Sequence, residues 1–85
     1  MAAKVEITPE ALGQAQQLRE PIYSRVMALV ERLEHWPEVS GAKPLRHGLT
    51  GHYRIRTGDY RVQFRVKGLT VIVERIGHRD GFYEE

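Results

Sequence analysis

Arginine alternates with apolar residues in two consecutive stretches, HYRIRT at 52–57 and YRVQFRV at 60–66. In extended chain this spacing puts His52, Arg54 and Arg56 on one face and Tyr53 and Ile55 on the other. It likewise sets Arg61, Gln63 and Arg65 against Tyr60, Val62, Phe64 and Val66. Alternate residues on a strand lie about 7 Å apart, a distance comparable with the step between adjacent phosphates of a nucleic-acid strand. Arg54 and Arg56 can therefore each engage a separate phosphate while Arg61 or Arg65 approaches from the neighbouring strand. Ten of the thirteen basic residues are arginine, which binds phosphate bidentately and stacks on bases as lysine does not. An arginine-bearing sheet face also serves for solubility alone, and the patterning by itself leaves both readings open.

A second group follows at 77–83, GHRDGFY. His78 can titrate near neutral pH, Arg79 is a permanent cation, and Tyr83 offers a stacking ring and a hydroxyl. Together they have the chemistry for proton transfer, phosphate stabilisation and base orientation in cleavage of a phosphodiester. The plainer reading is an exposed turn histidine and a tyrosine packed on the sheet. Other polar residues point to less. His35, His47 and His52 lack zinc-site spacing and the chain has no cysteine, so neither a metal nor a cofactor is expected. Glu31, Glu34 and Glu38 read as a solvated face, and Tyr23, Met27 and Trp36 as packing residues. No Gly-rich phosphate loop or dinucleotide fingerprint is present.

The net charge of +2 conceals a division along the 85 residues. Residues 1–42 carry four basic and six acidic side chains, 43–79 carry nine and two, and 80–85 add three acids. The middle segment is an electrostatic footprint for a polyanion, and the first half is an amphipathic scaffold. Eighty-five residues make one domain, 1–85, with a single core of marginal size. The lack of cysteine excludes disulfides, a thiolate nucleophile and iron–sulfur ligation. No apolar run approaches the ~18 residues of a membrane span, and the opening MAAKVEITPE breaks into charges before a signal-peptide core can form. A cytoplasmic location is expected.

These residues need a scaffold to position them. Residues 4–7 alternate as a short strand, and Thr8-Pro9-Glu10 supplies an N-cap, a first-turn proline and a first-turn acid for a helix running to about Glu20. Pro21 interrupts, and Ile22, Val26, Leu29, Val30 and Leu33 resume a helical stripe up to about Glu34 or His35. Trp36-Pro37 ends it, and residues 40–51, with three glycines and a proline, read as a connecting loop. Three strands follow at 52–57, 60–66 and 69–76, joined by Gly58-Asp59 and Lys67-Gly68. In the last of them Val71 and Val73 oppose Ile72 and Ile76, as befits a strand buried on both sides. The expected fold is α+β: one strand, a helical hairpin, then a three-stranded antiparallel meander forming a curved sheet with the helices on one face.

The stretches GHYRIRTGDYRVQFRV at 51–66 and IGHRDGFY at 76–83, with Lys43-Pro44-Leu45 and the helical hairpin upstream, resemble the RelE/ParE superfamily of bacterial and archaeal toxins. The resemblance covers nearly the whole chain and implies the same element order. It implies a toxin of a type II toxin–antitoxin pair that acts as an endoribonuclease, cutting messenger RNA in the ribosomal A site by attack of a ribose 2′-hydroxyl on the adjacent phosphate. Carried onto this sequence, it assigns catalysis to Arg61, Arg79 and Tyr83 and RNA binding to Arg54 and Arg56, with Arg65 and Lys43 beside them. Arg54 and Arg56 stand where RelE typically has lysines. A lysine can accept a proton and an arginine cannot at neutral pH, so His78 becomes the expected acid–base group. The implied partner is a short acidic antitoxin with an amphipathic helix. The resemblance also admits a ParE-like inhibitor of DNA gyrase, or a weakly catalytic toxin that acts as an antitoxin-bound co-repressor.

Overall fold

The computed structural model describes residues 2–45 and 50–81. The strand β1 (Lys4–Ile7) leads into helix α1 (Pro9–Gln16), which Thr8 caps: its Oγ1 accepts the Ala11 N–H at 3.1 Å. α1 stops at Gln16, short of the expected Glu20. The chain must leave helical geometry ahead of Pro21, and the Leu18 N–H closes the last turn on the Ala15 carbonyl at 3.1 Å. Helix α2 (Ile22–Arg32) runs on as a single 3₁₀ turn, Leu33–His35, up to Trp36-Pro37. At its start the Glu20 carboxylate accepts both the Ser24 N–H (3.1 Å) and the Ser24 hydroxyl.

The remaining strands are β2 (Lys43–Pro44), β3 (His52–Thr57), β4 (Tyr60–Lys67) and β5 (Thr70–His78), followed by a 3₁₀ turn at Arg79–Gly81. They form one five-stranded sheet in the order β1-β5-β4-β3-β2. The meander is antiparallel as expected, while β1 adds parallel to β5, so the sheet is mixed. Part of the expected loop at 40–51 is the two-residue strand β2, paired antiparallel to β3; a strand of two residues is too short to show a period. The turn glycines Gly58 and Gly68 take φ of 59° and 62°, the left-handed backbone that tight hairpins demand.

β5 carries one departure with consequences. Gln63 pairs with Arg75 but Phe64 pairs with Val73, so Glu74 is the extra residue of a β-bulge. The bulge resets the alternation. Ile76, expected to oppose Val71 and Val73, instead joins them in the core. On its other side β5 outruns β1, and there the Gln14 side-chain oxygen of α1 accepts the Ile76 N–H at 2.7 Å.

The core lies between the helices and one face of the sheet. Ala11 and Ala15 of α1 and Val26, Leu29 and Val30 of α2 meet Ile55, Val62, Phe64, Val71, Val73 and Ile76. Phe64 is fully buried and sits in an aromatic cluster, its ring centroid 5.3 Å from Trp36 and 5.6 Å from Tyr53. Tyr23, read as a packing residue, is exposed on α2. Truncating Phe64 to alanine is expected to cost about 3–5 kcal/mol in urea denaturation. The Leu69→Ala change, at a side chain exposed on the β4–β5 turn, is expected to stay within about 0.5 kcal/mol.

Candidate functional site

The face of the sheet away from the helices is built by register. Arg56 stands directly across from Arg61, Arg54 is flanked by Lys43 on β2 and Gln63 on β4, and His52 stands opposite Arg65. Lys43, Arg54, Arg56 and Arg61, with Ile55 and Gly41, line a pocket of about 100 Å³. That is well below the ~300–1,000 Å³ of small-molecule sites, and its size and lining suit one anionic group, such as a phosphate. The cations crowd one another: burial, then the charge of Arg61, then that of Arg56, pull the Arg54 guanidinium below its ordinary value. Like charges directly across a ladder oppose folding, so the cluster is a cost that a bound anion would relieve.

Further along the same face the bulged Glu74 gathers three side chains. One carboxylate oxygen lies 3.0 Å from His52 Nδ1 and accepts from Gln63 Nε2 at 3.4 Å, and the other lies 3.3 Å from Arg65 Nε. Arg65 is therefore drawn to a carboxylate and does not line the pocket. Of this cluster only Arg65 was among the site residues expected from sequence; His52, Gln63 and Glu74 were not. Their signal was present: Glu74 is one of only two acids in the basic segment 43–79, and His52 shares a face with Arg54 and Arg56.

The second expected group divides. Arg79 follows β5 at the end of the sheet that carries the β3–β4 turn; its N–H donates to the Asp59 carbonyl at 2.7 Å, and its guanidinium lies 3.9 Å from the Asp59 carboxylate. It thus stands at the Arg56–Arg61 end of the sheet. His78 pairs with Tyr60, and the two rings meet edge to face at 5.3 Å. Tyr60 and His78 alternate with buried Val62 and Ile76, so His78 is on the helix side of the sheet, opposite the arginines. Its Nδ1 accepts the Asp80 N–H at 3.2 Å. Tyr83 and His47 lie outside the described residues. Among the described residues no group of three or more histidines and acids could hold a metal ion, and no helix is long and apolar enough to cross a membrane.

The sequence model of the ParE toxin of type II toxin–antitoxin systems matches residues 5–81. The chain belongs to this toxin family. Toxin RelE3 of Methanocaldococcus jannaschii is 43% identical over 37 residues, a match that spans 44% of the chain and 42% of that protein. The toxin's fold is similar to a chain of the RelBE2 toxin–antitoxin complex of Mycobacterium tuberculosis, with a TM-score of 0.80 and 29% identity over 93% of this chain and 100% of that one. The archaeal RelE–RelB complex of Pyrococcus horikoshii gives a TM-score of 0.75 and 28% identity over 93% and 97%. The toxin is thus a RelE-like α+β protein of the RelE/ParE superfamily, with two helices packed on one face of a five-stranded mixed sheet.

Removing one cation from the toxin's crowded pocket tests its reading as an anion site. Arg54 is charged in the folded and the unfolded toxin across the neutral range, so its depressed value is a standing cost there. Arg54→Gln is expected to keep or raise the melting temperature at low salt. Inorganic phosphate at ten times its dissociation constant is expected to stabilise the wild type by about 1.4 kcal/mol and the variant by clearly less, both read by thermal unfolding.

Proposed function

We propose that this toxin is a ribosome-dependent endoribonuclease that cuts messenger RNA in the A site. The observation that carries the reading is the convergence of Lys43, Arg54, Arg56 and Arg61 on one phosphate-sized pocket, on a sheet face the helices leave open. In the reaction a ribose 2′-hydroxyl attacks the adjacent phosphate, and negative charge grows on the phosphoryl oxygens. Arg61, across from Arg56, serves as the cation that stabilises this charge, with Arg79 reaching in from the end of β5 and Tyr83 stacking on a base. Lys43, Arg54 and Arg56 line the same pocket and hold the phosphate in it. Fixed cations of this kind act only where charge develops, which is how they lower the barrier.

The toxin's partner in this reading is a RelB-type antitoxin, as in the M. tuberculosis and P. horikoshii complexes. A groove of about 450 Å³ between β1 and α2, lined by Val5, Tyr23, Met27, Ala28 and Val30 together with Ser24, Glu31 and Glu34, is suited to one face of an amphipathic helix. Acidic antitoxin residues would neutralise the arginine face. A second reading, gyrase inhibition, draws on the match to the ParE model.

Translation of a defined messenger with purified ribosomes distinguishes them. Primer extension is expected to show cuts at A-site codons; gyrase-dependent DNA breaks with intact messenger would select the second reading. Arg61→Ala is expected to slow cutting about 10²- to 10³-fold, and Arg25→Ala, exposed on α2, to leave it unchanged. In a salt titration of RNA binding, each of Arg54→Gln and Arg56→Gln is expected to reduce the slope by about 1.

A further inference from the structure

Resting on the nuclease reading above, we infer that His52, held by Glu74, is the group that takes the proton from the attacking 2′-hydroxyl. The arginines cannot serve, because a guanidinium does not release its proton at neutral pH. His78 is on the opposite face, beside Tyr60. His52 is on the arginine face itself, two residues before Arg54, or about 7 Å. A phosphate seated against Arg54 and Lys43 would therefore bring the neighbouring ribose toward it.

The surroundings of His52 are those of an oriented base. The carboxylate of Glu74 lies 3.0 Å from Nδ1, and the two side chains are 23–26% exposed, shielded yet within reach of a ligand. A carboxylate at Nδ1 fixes that nitrogen as the N–H donor and leaves Nε2 as the lone-pair acceptor. Among the described residues Nε2 has no hydrogen-bond partner. Glu74 is itself held by Gln63 Nε2 and Arg65 Nε; it follows the buried Val73, so alternation along β5 turns it to the arginine face, and as the extra residue of the bulge it stands there beside Arg75. The charged and titratable groups facing His52 are thus Arg54 on its own strand, Arg65 on β4 and Glu74 on β5.

The step balances without a metal. Nε2 accepts the 2′-hydroxyl proton as the 2′-oxygen bonds to phosphorus. The bond from phosphorus to the 5′-oxygen breaks, its electron pair stays on that oxygen, and the 5′-oxygen takes a proton from solvent. A 2′,3′-cyclic phosphate and a 5′-hydroxyl result, and the imidazolium returns its proton to water. Glu74 is a positioning residue in this scheme.

The test is the pH–rate profile for single-turnover cutting of messenger on programmed ribosomes between pH 5.5 and 9. The wild-type rate is expected to rise to a plateau through one inflection in the range where imidazole titrates. His52→Gln is expected to cut about 10²- to 10⁴-fold more slowly, lose the inflection, and bind ribosomes within about two-fold of wild type. Glu74→Gln is expected to cut about ten-fold more slowly while binding ribosomes within about two-fold of wild type, since an amide can present either its oxygen or its NH₂ to Nδ1 and no longer fixes the tautomer. Added imidazole is expected to restore part of the rate to His52→Gly. Because His52 also braces the sheet, the shape of the profile decides: a slow but folded His52→Gln that keeps the wild-type inflection, or one that cuts at the wild-type rate, overturns the assignment and leaves the nuclease reading standing. A wild-type toxin that cuts no messenger overturns both.

Discussion

The pairing of β4 with its two neighbours is the constraint on which the rest of the molecule depends. Phe64 and Val62 are fully buried on one side of β4, and Arg61, Gln63 and Arg65 stand on the other. Side chains alternate with a period of two, so slipping the register by one residue would put arginine into the core and Phe64 into water. Burial of a large aromatic ring thereby fixes where the cations stand. Trp36 and Tyr53 extend this hold, because their rings clasp Phe64 from the end of the helical segment and from β3. The apolar core and the anion pocket are two sides of one set of strand pairings.

The cationic side is held at a cost. Burial, then the charges of Arg61 and Arg56, pull the Arg54 guanidinium below its ordinary value. Glu74 offsets the charge of Arg65 along the same face, while the pocket end is left as a concentrated positive field. Such a field favours a ligand whose negative charges are spaced along a chain, and it draws that ligand in by long-range attraction before any contact forms.

Much of this was legible in the residues themselves. Thr8-Pro9 marks the start of α1, the Ile22–Leu33 stripe marks α2, and the alternation at 52–57 and 60–66 separates the core from the arginine face. Local patterns carry these because helices and hairpins repeat with their own periods. Long-range placement was not legible: nothing in residues 4–7 says that β1 joins the sheet parallel to β5. The bulge at Glu74 was invisible for a related reason, since an extra residue appears only when the strand is laid against its partner. The reading of the site followed the same boundary. Arg54, Arg56 and Arg61 are neighbours in sequence and were found together, whereas His52 and Glu74 are 22 positions apart and meet only through the register.

The strand β2 is brief, and its composition has a consequence for the life of the free chain. It is the sheet's outer strand on the side of the anion pocket, and it offers Lys43 and Pro44 where another polypeptide would seek to zip on. Proline lacks the amide proton such zipping needs, and lysine would have to be stripped of water. The border nearest the arginines is therefore unreceptive to a second copy. Molecules at high local concentration have one less route into fibres or tangles, and the arginine face stays open.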